Sequence, residues 1–162
     1  MDGPSEFDLD PELLADAEIT VAEPPNPYAP VDEHVRTLRD AESFRGCLSV
    51  IGRDALETVH DRTEEIEEPW ELTVTEAVLE MFQSDPIYNG GFEALRAQEG
   101  IEIYVHEGEI PFFVGLFDEI VQVGVKNDRG VPQALVSATD DWAWEWAREL
   151  FEEYKGRAES LN

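Results

Sequence analysis

Residues 110–161, IPFFVGLFDEIVQVGVKNDRGVPQALVSATDDWAWEWARELFEEYKGRAESL, decide the fold of this chain. Apolar runs at PFFVGLFD, IVQVGVKN and QALVSA have strand length, and Asp118-Glu119 and Asn127-Asp128-Arg129-Gly130 supply tight turns between them. Three strands so joined predict an antiparallel meander. The run then changes period: Trp142, Trp146 and Leu150 recur at four-residue spacing, and Trp144, Ala147, Phe151 and Tyr154 form a second, offset stripe. The helix start falls at Thr139 to Asp141, where a hydroxyl or carboxylate can accept from free amides. Two apolar stripes predict burial on more than one side, against the sheet and against something else, as in a large core helix or in one shared with a partner subunit or neighbouring domain.

Working back along the chain, IEIYVHE alternates cleanly, with Ile101, Ile103 and Val105 on one face and Glu102, Tyr104 and His106 on the other. FEALRAQ, after Gly90-Gly91 as turn punctuation, and EAVLEMFQS read as helices, and ELTVT as a strand. RDALETVHDRTEEIEE carries Ala55, Leu56, Val59 and Ile66 near one helical face, and Pro69 ends it. LSVI after Gly46 is a buried strand, and VDEHVRTLRDAES a short amphipathic helix. Further upstream, LLADAEITVA holds a helical turn or an edge strand, and AEPPNPYAP, with four prolines, reads as a connector. Strand and helix alternate over the first hundred residues. The predicted fold class is therefore α/β, with a mixed sheet of five to six strands, parallel at the start and antiparallel in the meander, flanked by helices. Residues 1–30 are assigned to an acidic, proline-rich connector and 31–162 to the domain proper.

The chain holds 162 residues, one domain's worth. Its 38 Asp and Glu against 11 Lys and Arg leave a formal charge of −27, and only Lys126 and Lys155 are lysines. Such an excess of one sign repels itself at ordinary ionic strength, and molar salt, with a screening length near ~3 Å, removes the penalty. The composition points to a salt-rich cytoplasm. Without a cluster of Lys and Arg, the chain is not expected to bind nucleic acid directly. It has no apolar run long enough for a membrane span. Cys47, the single cysteine, lies in an apolar run and reads as a buried, inert thiol.

No catalytic set stands out. His34, His60 and His106 fall on separate elements without an HxH or HExxH pair, so no metal or other cofactor is expected, and no Walker loop, GxSxG or GxGxxG occurs. For a small-molecule pocket, the ends of the strands are the expected place. Arg53, Thr75, Glu76 and His106 stand there, with Phe113 beside them. Trp142, Trp144, Trp146 and Phe151 are the candidate interface, better suited to packing than to base stacking because their neighbours are acids.

Two segments carry a family resemblance: LLADAEITVAEPPNPYAPVDEHV (13–35) and the opening stretch 110–161. Together they resemble the C-terminal effector half of haloarchaeal winged-helix transcriptional regulators, a group related to methanogenesis and filamentation regulators and more loosely to TrmB. Pro111, Phe112, Phe117, Asp118, Val123, Thr139, Asp140, Trp146, Ala147, Tyr154 and Ala158 fit that pattern, and the likeness spans about Leu14 to Leu161. It implies an α/β effector domain distantly similar to one half of a phospholipase D. A non-enzymatic sensing and dimerisation role would follow, with a small-molecule effector and either a homodimer or a winged-helix DNA-binding partner. The stretch before Leu14 is too short for a winged helix, so the expectation is a sensing half without its reader. The phospholipase HxK pair is absent, each histidine being followed two residues later by Arg36, Arg62 or Gly108. The alternatives are an acidic adaptor that binds another regulator through the tryptophan helix and, third, a small hydrolase using His106.

Overall fold

The computed structural model describes residues 17–48, 53–64, 69–110, 112–126 and 132–161, and the side chains of 53, 54, 87 and 132 lie outside that description. Eight strands and five helices form three layers. In chain order they are β1 (Glu18–Val21), α1 (Ala29–Asp40), β2 (Phe44–Leu48), α2 (Arg53–Thr63), β3 (Trp70–Thr75), α3 (Glu76–Ser84), α4 (Pro86–Arg96), β4 (Ile101–His106), β5 (Phe113–Phe117), β6 (Ile120–Lys126), β7 (Pro132–Ala138), α5 (Asp141–Gly156) and β8 (Ala158–Ser160).

One sheet runs in the order β1-β7-β6-β5-β2-β3-β4-β8. β2, β3 and β4 are parallel and the other pairings antiparallel. The parallel trio is linked through α2 and then α3 and α4, as parallel strands require a crossover. The meander β5-β6-β7, whose first hairpin turns at Asp118-Glu119 as expected, attaches to β2 through β5. The other predicted turn, Asn127 to Gly130, lies outside the described residues.

The sheet has eight strands where five to six were expected. The two additional strands are its edges. β1 falls within the stretch assigned to the connector, and β8 is only three residues, AES, too short and polar to show a period. Gly90 and Gly91 are a second correction: they sit inside α4, which starts at Pro86, and are not a turn. Proline suits a first helical turn, and a side chain at Gly91 would only touch Leu56 Cδ2, at 3.5 Å.

Each face of the sheet has its own core. One is covered by α1 to α4 and holds Phe44, Trp70, Leu72, Val74, Phe82, Phe92, Ile101, Ile103, Phe113 and Phe117. Gly46 and Gly115 are register partners on β2 and β5, and a Cβ on either would lie within 2.5 Å of a phenylalanine ring carbon. Their bare backbones make room for the rings of Phe44 and Phe117, which stack at 4.6 Å. Among the described residues the other face is covered by α5, through Ala143, Ala147, Phe151 and Tyr154 packed on Cys47, Val114, Leu116, Val121, Val123 and Val136. Asp140 caps α5, its carboxylate accepting from the Ala143 amide at 3.2 Å.

The turn between β5 and β6 is pinned to the head of β2. Asp118 adopts a positive φ of 49°, which Asp tolerates better than most side chains. Its carboxylate accepts from the Ser43 amide at 2.9 Å and the Ser43 hydroxyl at 3.0 Å, while its own amide donates to Ser43 Oγ at 3.1 Å.

Candidate functional site

Where α5 reaches β3 and β4, the surface it covers turns polar. The alternation of each strand sends Trp70, Leu72, Val74, Ile101 and Ile103 to the four-helix face. It leaves Glu71, Thr73 and Thr75 of β3 beside Glu102, Tyr104 and His106 of β4, each paired in register with its counterpart. The last turn of α5 answers with one cation. Lys155 forms an ion pair with Glu71, both side chains being largely shielded, and its Nζ lies 4.9 Å from the Tyr104 ring centroid. The hydrogen bond to Glu71 holds the ammonium above its usual pKa. Tyr104 donates to Glu102 at 2.8 Å, and its phenol is pushed up first by burial and then by that bond.

Two buried groups beside this pair lack partners. Thr73 is fully enclosed and its Oγ1 makes no hydrogen bond among the described residues. His106, 7% exposed, packs edge-on against Tyr154 at 5.2 Å, and its Nδ1 is likewise unpaired. A Cβ at Gly108 would approach His106 Nε2 to 3.1 Å, so the glycine lets the chain turn over the imidazole. Orphaned buried polar atoms cost about 1–3 kcal/mol each, which makes this patch the place on the sheet most in need of a hydrogen-bonding occupant.

The strand-end residues expected to bind a ligand are brought together only in part. Thr75 and His106 are register neighbours on one face. Thr75 is committed to capping α3, its Oγ1 accepting from the Val78 amide at 3.1 Å. Glu76 follows it on the surface. Phe113 is on the opposite face, edge-on to His34 at 4.7 Å, so it does not line a pocket with His106. The Arg53 side chain lies outside the described residues.

The candidate interface residues also divide. Phe151 is fully enclosed and sits in the core under α5, not on an outer surface. The tryptophans form the outward stripe: Phe112, Trp146 and Trp142 stack in a ladder with centroid spacings of 6.3 and 6.5 Å, ending at Trp142, 37% exposed. Trp144 is half-buried against the same core. Cys47 is buried beside Glu152, and burial first, then that charge, pushes its thiol far up, so it is no nucleophile at neutral pH.

Sequence reading missed a second polar cluster on the four-helix face. His34 Nδ1 lies 3.3 Å from Gln122 Oε1, whose amide nitrogen donates to Thr37 Oγ1 at 2.8 Å and reaches Ser137 Oγ at 3.4 Å. The ring of His34 stands between Phe113 and Phe117, and burial lowers its pKa to about 4 against the smaller opposing effect of Gln122. Gln122 interrupts an apolar strand, the one signal that could have found it. Among the described residues, His60, Asp61 and Glu64 bring ligand atoms within 4.8 Å of one another at the surface of α2. Asp61 and Glu64 are exposed and His60 half-buried, and nothing further points to an ion there.

The three-layer α/β arrangement around one mixed sheet is a fold that this chain shares with solved structures of low sequence identity, phospholipase D family members among them. Nuc, a phospholipase D family member from Salmonella typhimurium, superposes with a TM-score of 0.68 at 12% identity over 91% of this chain and 99% of its own. NucT from Helicobacter pylori gives 0.68 at 13% identity, over 90% and 98%. TrmBL2, an archaeal chromatin protein, gives 0.59 at 15% identity over 90% of this chain and 54% of its own, so the chain spans about half of TrmBL2. No curated protein sequence matches. Residues 27–157 match the middle domain of the methanogenesis regulatory protein FilR1, and the chain belongs to that family.

Proposed function

We propose that this chain is a non-enzymatic effector domain of a transcriptional regulator, in which occupancy of the polar patch beneath α5 biases a linked or partner winged-helix DNA-binding module. Membership of a regulatory protein's middle-domain family carries the reading. Support comes from the patch itself, whose unpaired Thr73 hydroxyl and His106 imidazole suit a small hydrogen-bonding effector better than a reaction. A ligand can shift an equilibrium only by its differential affinity for two states, and groups left unsatisfied until it binds provide that difference. The surface charge speaks against direct contact with DNA by this chain, and no described helix is long and apolar enough to cross a membrane.

The test is a thermal-shift screen of metabolites in molar KCl, with wild type and His106→Ala side by side. An effector at one hundred times its dissociation constant stabilises by about 2.7 kcal/mol, and His106→Ala should abolish that response. Hydrolysis of bis(p-nitrophenyl) phosphate by the purified chain, lost in His106→Ala, would overturn the non-enzymatic reading.

A second reading, self-association or adaptor binding through the tryptophan helix, rests on the exposed end of the Phe112–Trp146–Trp142 ladder. Light scattering should then show a dimer that Trp142→Ala weakens about tenfold, the usual scale for an aromatic anchor.

A further inference from the structure

A second feature lies outside the sheet altogether. Between the last turn of α1 and the outer face of α2 is a cavity of about 170 Å³, lined by Arg39, Glu57, Thr58, Asp61 and Arg62. The four α2 residues are spaced i, i+1, i+4 and i+5, which sets them on one helical face. At roughly 30 Å³ per liquid water, the space holds about six waters or one small metabolite.

Its lining is unusual for this chain. Two of only eleven cationic side chains meet there, amid 38 acids. Surface ion pairs hold other cations: Arg36 with Glu33, Arg148 with Glu145, Arg157 with Glu153. Arg39, by contrast, makes no ion pair among the described residues. Arg62 is anchored: its Nη2 donates to the Ala41 carbonyl just past the end of α1, and its Nε is buried without a partner. One guanidinium is thus fixed with an unsatisfied donor and the other is uncommitted, while carboxylates of Glu57 and Asp61 stand on the same walls.

We propose that this cavity binds a small zwitterion of the α-amino acid class, its carboxylate between Arg39 and Arg62 and its ammonium against Asp61 and Glu57. A planar guanidinium is matched to a carboxylate, and the charge-assisted bonds it makes are the strong ones. The opposite-sign walls choose between ligand classes. A simple anion would meet both the two local carboxylates and the field of a chain at −27. A simple cation would leave the guanidiniums unanswered. A ligand of zero net charge carries no long-range penalty and satisfies both walls.

This site is distinct from the patch beneath α5, and one set of variants separates them. The full chain in molar KCl is titrated with L-serine, glycine, acetate and methylammonium, read by amide chemical shifts and by melting temperature. L-Serine should shift the Ala41 and Arg62 amides saturably, acetate and methylammonium should not match it, and Arg39→Gln and Asp61→Asn should each weaken it about tenfold or more. Both positions are exposed, and unchanged melting of the unliganded variants verifies that they fold. His106→Ala should leave the response intact. The proposal falls if neither L-serine nor glycine saturates, if acetate alone binds as well, if Arg39→Gln keeps wild-type affinity, or if only His106→Ala abolishes the response.

Discussion

The two faces of the sheet hold their polar groups in opposite ways. Beneath α1 to α4, the polar cluster of His34 with Gln122, Thr37 and Ser137 is set among phenylalanines and is internally bonded, as is Thr63 with Gln98 at the end of α2. Beneath α5, the core is apolar over β5 to β7 but turns to Glu71, Thr73, Tyr104 and His106 over β3 and β4, with two atoms left unpaired. On the first face the chain itself supplies the partners of both clusters, although Arg62 Nε, on α2 in that same layer, is buried without one among the described residues. The second face is apolar at one end and polar at the other, where Thr73 Oγ1 and His106 Nδ1 are unpaired among the described residues.

The largest test of that contrast is Phe151→Ala. Phe151 is fully buried where α5 covers the face, so truncation should cost about 3–5 kcal/mol, measured by urea unfolding in molar KCl. A loss below about 1 kcal/mol would mean that α5 is not a packed layer.

An intermediate effect is expected from acid. The imidazole of His34 has a folded pKa of about 4, below its ordinary 6.5. Between those values the unfolded chain binds more protons, so stability rises with pH across the window. His34 stabilises fully above pH 6.5, and its contribution fades as pH falls towards 4. The loss approaches about 3 kcal/mol relative to His34→Gln, compared by melting across the window, and parallel curves for the two proteins would remove His34 from the buried network.

The smallest effect should come from Thr73→Val. Replacing an unpaired buried hydroxyl with a methyl of similar shape should be neutral or stabilise by up to about 1 kcal/mol in denaturant unfolding. A loss above ~1 kcal/mol would show that the hydroxyl is satisfied after all, and would erase the difference between the faces.

Much of the layer structure could be read from periodicity. The meander, the tryptophan helix and the alternation of Ile101, Ile103 and Val105 all follow from local patterns, and the family was reached through the resemblance carried by 13–35 and 110–161. Of the edge strands, β1 lies in the stretch read as a helical turn or an edge strand, while β8 was not legible: its three residues carry no period, and their pairing with β4 is decided by where α5 delivers them. The site was half legible. Tyr104 and His106 announce themselves as the polar side of β4. Lys155, in contrast, reads locally as a favourable charge at a helix end, and only the fold brings it to Glu71, 84 residues away in sequence. Likewise Phe113 and His106 share a sheet end in any linear reading, and strand alternation separates them by the thickness of the sheet.

The way α5 is tethered has a mechanical consequence. It leaves the sheet from β7, near one border, crosses the face, and re-enters as β8 on the far side of β4, where the Leu161 amide donates to the Ile103 carbonyl at 2.8 Å. The helix is a strap sewn down at both hems. Sliding it by even a fraction of a turn would tug on β7 and β8 together, so an event beneath its last turn at Lys155 would be felt at two borders of the domain at once.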